Sequence, residues 1–415
     1  MIMKTNFPIL RQILFAAAPL VLLAGCSDKD DSAPIGVAGV EMSKPTLELS
    51  LDGTERLTAA VTPDNAADKT LTWSSSDEAV AAVSSEGVIT AVRAGHATIT
   101  AAAGGKTGTC AVTVNPDIYV AGTDNNAAVV WKNGRTLYTL TDGKRYAGAY
   151  SVFVSDGVVY TAGVEYNGTK DVAKVWRNGT VLHSLTDGMQ DAFANSVFVS
   201  GGAVYTAGYE GNENGWYIAK VWKDDTELHA LTDGKQYADA SSVFVSGSVV
   251  YTVGQERNEN GKYAAKVWKN GTVLHNLTDG MRNAVVYSLF VSGSDVYTAG
   301  YENNENDNRV AKVWKNDKLL YTLSDGTYSV YTDSVCVWDG DVYATADGIV
   351  WKNGTALYSA PGSYFLEVSV RDGDVYAADW RNKESSIKIR KNDKELYSLS
   401  AGSIIKIFVY NGPER

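Results

Sequence analysis

The chain spells "AKVWRNGTVLHSLTDG" from Ala173 to Gly188 and nearly the same word, "AKVWKNGTVLHNLTDG", from Ala265 to Gly280. The tryptophan of this word recurs at Trp131, Trp176, Trp222, Trp268, Trp314 and Trp351, at gaps of 45, 46, 46, 46 and 37 residues. A second word, "VYTAG" and its variants, keeps similar time through Tyr160, Tyr205, Tyr251, Tyr297, Tyr343 and Tyr376. A unit repeated at a fixed period stacks on its own copies to bury its apolar side, so the period constrains the fold before any composition does.

Within one repeat, "SVFVSG", "DVYTAGYE", "AKVWKNGT" and "LHNLTDG" each read as a short strand. Tight turns such as Ser155-Asp156-Gly157 join the first pair, and Asn178-Gly179 or Asn270-Gly271, a strong hairpin signal, joins the last. Four antiparallel strands in about 46 residues are the unit of a β-propeller blade. First strands start at Ser151, Ser196, Ser242, Ser288, Ser334 and about Glu367, which makes six complete repeats. The ends supply a seventh. "DIYVAGTD", "AVVWKNGR" and "TLYTLTDG" between Asp117 and Gly143 lack a first strand, and "IIKIFVYNG" from Ile404 to Gly412 is a first strand without a blade. Pairing the two ends leaves no open sheet edge. The predicted fold for 117–415 is therefore all-β, a seven-bladed β-propeller with a three-plus-one strand closure.

The repeated Trp, His and Asp first suggest a site. Equivalent positions of successive blades, however, lie around a ring, and facing sheets already sit about 10 Å apart. His183, His229 and His275 therefore cannot converge on one metal ion. Tyr138, Tyr321, Tyr358 and Tyr397 take the same position elsewhere, so the fold asks for a flat amphipathic side chain there. The tryptophans read as wedges between blades, with Arg390 in that slot of the last repeat. Asp142, Asp187, Asp233, Asp279 and Asp325 each precede a Gly in a turn. No metal site and no cofactor is expected.

Ahead of the repeats, "TLELSLDGTERLTAAVTP", "LTWSSSDEAVAAV", "GVITAVRAGHATITAAAGG" and "TCAVTVN" alternate apolar and polar residues between turn signals, the pattern of a small β-sandwich. The "TAAVTPDNA" step, the "TWSSSDEAVAAV" core with Trp73 and the "GVITAVRAGHATIT" hairpin resemble the group 2 bacterial immunoglobulin-like domain. The resemblance covers 39-115 and implies a spacer or adhesion module, with Trp73 as a core residue. At the N-terminus, Lys4 and Arg11 precede an apolar run ending in Leu23-Ala24-Gly25-Cys26, which resembles the lipobox of bacterial lipoproteins. The resemblance implies a signal peptide over 1-25 and lipidation of Cys26. The acidic stretch "SDKDDSAP" then makes 26-38 a solvated tether, similar to the run that sends some lipoproteins to the outer face of the outer membrane. The expected location is the outer membrane, exposed at the cell surface, with the periplasmic face as the alternative.

The formal charge is −11, and no basic cluster is present, which excludes a phosphate-backbone footprint and nucleic acid as a partner. Cys110 and Cys336 lie in apolar strand patterns and read as buried thiols without a disulfide. A monomer held to the membrane by its lipid is expected.

Function on a repeated scaffold belongs to positions that differ between repeats. The crossovers "GKRYAGAY", "GMQDAFAN", "GKQYADAS", "GMRNAVVY" and "GTYSVYTD" vary, as do the loops "VEYNGTKD", "YEGNENGWY", "QERNENGKY", "YENNENDNR" and "DWRNKESS". Both sets fall on one face. They carry Tyr146, Tyr150, Tyr209, Trp216, Tyr217, Tyr237, Tyr263, Tyr287, Tyr301, Tyr331 and Trp380 among amides and carboxylates, a surface suited to sugar rings or to a protein partner. The first expectation is a non-catalytic protein that recognises polysaccharide through this face; the alternative is an adhesion or protein-interaction platform. A glycan-degrading enzyme is the further alternative, with Asp333, Glu367, Asp191 and Asp239 near the channel mouth as candidate carboxylates.

Overall fold

A computed structural model describes residues 34–360, 362–381, 386–400 and 403–412 of the 415-residue chain. Cys26, the signal segment 1–25 and most of the 26–38 tether lie outside the described residues, as do residues 382–385 of one variable loop. Among the described residues every regular element is a strand.

The N-terminal unit is a sandwich. Thr46–Ser50, Lys106–Asn115, Gly95–Ala103 and Thr72–Ser75 form one sheet, and Thr54–Arg56, Val88–Ala91 and Ala81–Val83 form another. Alternate residues of both meet in one core of Leu47, Leu57, Ile89, Ile99, Cys110 and Val112, against which Trp73 packs. Cys110 is a buried free thiol, as is Cys336. Only Pro116 separates the last strand of this unit from Asp117–Asp124.

Among the described residues, 117–412 form seven four-stranded antiparallel sheets. In six of them the strands run in chain order, as in Ala147–Ser155, Val158–Tyr166, Asp171–Arg177 and Thr180–Ser184. In the remaining sheet, Asp117–Asp124 lies between Ala127–Lys132 and the last strand, Ser403–Tyr410, with Tyr119 opposite Phe408. The first strands Ala147–Ser155, Ala192–Ser200, Ala238–Ser246, Ala284–Ser292, Thr332–Trp338 and Tyr364–Arg371 each contact the next, and Ser403–Tyr410 contacts both the last and the first of these.

The repeated word has a packing reason in every part. Trp176 is fully buried against Val130, Ala149, Val152 and Val159, so it fills the gap between its own sheet and the one before. Trp222, Trp268 and Trp314 do the same one, two and three sheets on. The flat side chain of the fourth strand covers the hairpin of the next sheet: a Cβ on Gly179 would meet the Tyr138 ring at 2.6 Å, and one on Gly271 the His229 ring at 2.6 Å. Each aspartate closes its turn, as where Asp187 Oδ1 accepts the Met189 N–H at 2.9 Å and Asp279 Oδ1 that of Met281 at 2.9 Å.

One boundary differs from the sequence expectation. Four of the first strands begin four residues earlier, at Ala147, Ala192, Ala238 and Ala284. Pairing slips within each of them and then resumes, which extends the strand into what reads in sequence as crossover.

Candidate functional site

The slip builds the site. Between Ala149 and Ser151 the register shifts by one residue, leaving Tyr150 unpaired, and the same bulge leaves Asn195, Ser241, Tyr287 and Leu366 unpaired in four other sheets. A bulge re-aims side chains. Here both members of Tyr150/Ser151, Asn195/Ser196, Ser241/Ser242 and Leu366/Glu367 reach one funnel of about 550 Å³, along with Tyr209, Asp239, Gln255, Tyr287, Asp333 and Lys406. In four of these sheets the glycine of "VYTAG" and its variants makes room for the bulge, whereas Asp379 holds that position in the sheet of Leu366. A Cβ on Gly163, Gly208, Gly254 or Gly300 would lie 1.9–2.0 Å from the carbonyl oxygen of the bulged strand beside it.

Below the bulges runs a ring of one repeated position: Ser151, Ser196, Ser242, Ser288, Ser334, then Glu367 and Lys406. Serine here ties one sheet to the next. Ser151 Oγ accepts the Val197 N–H at 3.1 Å, Ser196 Oγ that of Val243 at 3.2 Å, and Ser288 Oγ that of Val335 at 3.1 Å. The last two positions carry opposite charges instead, and Lys406 Nζ binds Glu367 Oε1 at 2.8 Å while Ser334 Oγ donates to the same oxygen at 2.9 Å. Deeper still, Phe408, Phe153, Phe198, Phe244 and Phe290 follow one another in ring contact at centroid distances of 4.7–5.6 Å.

Three carboxyl groups therefore share the funnel with one ammonium. Burial and the neighbouring Glu367 charge push Asp333 from 3.8 up to about 7. Burial alone lifts Asp239 to about 6, against the pull of Ser241 and Gln255, which both hydrogen-bond to it. Burial also raises Glu367, while Lys406 and Ser334 act in the opposite sense. Asp191 is not among the funnel residues; it pairs with Lys170 at 2.9 Å.

The aromatic residues singled out in the sequence fall into groups. Tyr146 and Tyr150 share a hydroxyl contact of 3.1 Å. Tyr150 stacks on Phe193, Phe193 on Tyr209, and Tyr209 on Tyr217, at 6.0, 5.0 and 4.7 Å; Tyr237 stands edge-on to both Tyr217 and Trp216. This run leads from the funnel wall outward. Tyr287 touches Tyr301 and Tyr331, with Arg309 over the latter two rings. Trp380 meets Tyr364 and otherwise packs on the core beneath it. Tyr263 joins neither group; it heads its strand with its N–H on Asn283 Oδ1 at 3.0 Å.

Sequence reasoning missed Phe193, Gln255 and Lys406. The repeat alignment holds the signal for Lys406, which replaces a serine. The loop asparagines are committed elsewhere: Asn212, Asn258 and Asn304 donate from Nδ2 to Gly234, Gly280 and Gly326 carbonyls at 2.7, 2.8 and 2.9 Å and cap their own loops through Oδ1. They hold the rim in place.

Among curated proteins, the chain is 34% identical to an alpha-L-arabinofuranosidase of Bifidobacterium longum over 34% of its own length, and 38% identical to a lacto-N-biosidase of Bifidobacterium bifidum over 23%. It spans 18% and 9% of the lengths of these relatives. Among solved structures, the periplasmic gluconolactonase of Pseudomonas aeruginosa is 13% identical with a TM-score of 0.46, covering 72% of this chain and 99% of that one. The expectation of a non-catalytic protein is corrected by the relatives, which are named as glycosidases. Residues 36–114 match the bacterial Ig-like domain (group 2), and this part of the chain belongs to that family.

Proposed function

We propose that the protein is a surface-anchored, carbohydrate-active enzyme that cleaves glycosidic bonds in its funnel. In this reading Cys26 is lipidated, residues 26–38 tether the chain to the outer membrane, and the Ig-like domain over 39–115 is a spacer. Residues 117–415 are a monomeric seven-bladed propeller. Seven four-stranded sheets and the pairing of Asp117–Thr123 with Ser403–Tyr410 support that part of the reading.

Asp333 carries the chemical part. Its carboxyl sits in an aromatic-walled funnel, and burial beside Glu367 holds its proton up to about pH 7. Such an acid can give its proton to the glycosidic oxygen as the C–O bond breaks. Glu367, whose charge is balanced by Lys406, is the neighbouring carboxylate. It takes a proton from the water whose hydroxyl goes to the anomeric carbon, the division of labour of a two-carboxyl glycosidase. Tyr150 and Tyr287 offer faces against which sugar C–H groups stack. Two relatives named as glycosidases support the same direction.

The test is release of reducing ends by the purified protein from a broad panel of plant and host polysaccharides and oligosaccharides. Asp333→Asn and Glu367→Gln are each expected to lower the rate by roughly 100-fold or more without loss of glycan binding. Full activity in both variants would end this assignment.

A further inference from the structure

One cross-strand position runs through four sheets as Gly148/Val164, Phe193/Tyr209, Asp239/Gln255 and Val285/Tyr301. Three of these pairs are apolar or aromatic, and the third in chain order is an acid facing an amide. A polar pair at a position the fold fills with apolar groups costs stability, so it needs another reason. Both residues line the funnel.

Their hydrogen bonds show what is missing. Gln255 turns its Nε2 toward Asp239 Oδ2, which fixes the amide's orientation, and its Oε1 is buried without a partner although the residue is only 8% exposed. Asp239 takes hydrogen bonds from Ser241 and Gln255, both neutral, and among the described residues no lysine or arginine pairs with it. Lys406, the ammonium in the funnel lining, is committed to Glu367. The pair thus presents an uncompensated carboxylate and a free carbonyl oxygen in the funnel wall. A group with several N–H donors, a positive charge and no acceptor satisfies both partners at once; a neutral hydroxyl has one proton to give and no charge.

We infer that Asp239 and Gln255 seat a primary ammonium group, presented by an amino sugar at the end of the glycan. This rests on the glycan reading above and adds the substrate class: chains with a free amine are preferred to their N-acetylated or neutral counterparts. The titratable groups around the seat are Tyr150, Tyr209, Tyr287, Asp333, Glu367 and Lys406, and at pH 6.5–7 the ligand amine and Asp239 carry the required opposite charges.

The experiment is calorimetric binding of three oligosaccharides of equal length to the full protein: glucosamine oligomers, N-acetylglucosamine oligomers and neutral glucose oligomers, with cadaverine as a sugar-free amine. The glucosamine oligomer is expected to bind at least roughly 10-fold more tightly than the other two sugars, the ratio of one charge-assisted contact of 1.4 kcal/mol. Asp239→Asn should erase the preference, and Gln255→Met, which keeps the volume but removes the free oxygen, should reduce it. Equal binding of the three sugars overturns the ammonium seat and leaves the glycan reading standing. Binding of cadaverine with no sugar bound supports the seat and removes the glycan from it. No binding by any of the four overturns the inference.

Discussion

Asp333 is held among tyrosine rings and beside a second carboxyl, and its proton is coupled to folding. The folded chain keeps that proton up to about pH 7, while an unfolded chain releases it near 3.8. Folding therefore takes up a proton between these values, and the stability it confers, complete below 3.8, is lost as pH rises through 7. Relative to wild type, Asp333→Asn is expected to gain on the order of 2 kcal/mol between pH 5 and pH 8, allowing for the partial exposure of the group. Urea unfolding at the two pH values measures it; a difference that does not change with pH would mean that the carboxyl is not desolvated. His229 gives a contrasting case. Its ring covers Gly271 of the next sheet, as Tyr138 covers Gly179, so its duty is shape. His229→Tyr is expected to change stability by less than about 0.5 kcal/mol, whereas His229→Ala should cost about 1–2 kcal/mol by the same unfolding assay.

At the scale of the strand, the bulge and its glycine are one device. Gly254→Ala would drive a methyl group to within 2.0 Å of the Asp239 carbonyl, so either the bulge straightens or the two strands part. The expected cost is about 3 kcal/mol, together with loss of ligand binding in the funnel; Ala at the solvent-facing Gly215, which meets nothing within 4 Å, reports the cost of a positive φ alone. The device also explains what could be read in advance. Strand order, turn aspartates and wedge tryptophans were legible because each depends on neighbours in sequence or on the repeat itself. The extra residue of a bulge leaves no mark in the alternation of any single strand, so Tyr150 and Tyr287 read as crossover residues, and Gln255 as a loop residue, though all three belong to strands. The clue is the glycine of "VYTAG" and its variants, Gly163, Gly208, Gly254 and Gly300, whose reason lies in the partner strand. Asp333 and Glu367 stand out in the sequence as carboxylates near the channel mouth; Lys406, the partner of Glu367, does not, because the sequence of the closing strand shows its pairing but not which side chain its ladder brings beside Glu367.

For the whole molecule, closure is the feature on which the rest depends. Ser403–Tyr410 pairs with Asp117–Thr123 and places Lys406 beside Glu367, so the last strand completes both a sheet and the funnel. Truncation after residue 402 is expected to leave an open strand edge, to abolish cooperative thermal unfolding and to cause self-association on size-exclusion chromatography. A truncated chain that stayed monomeric and unfolded in one sharp transition would show that the closing strand is dispensable.

The single-residue joint at Pro116 has a mechanical meaning. Any pull transmitted through the Ig-like domain enters the second unit at Asp117, the end of a strand hydrogen-bonded on both sides, to Ala127–Lys132 and to Ser403–Tyr410. A load borne in the funnel, whose lining residues lie on other strands, reaches this one only through its hydrogen bonds to its neighbours. Force then runs along the strand axis, at right angles to its hydrogen bonds, so the two ladders resist in shear, all bonds together, and are not peeled open one at a time. Ala94, whose N–H binds the Asn411 carbonyl at 2.8 Å, ties the end of the closing strand to the Ig-like domain.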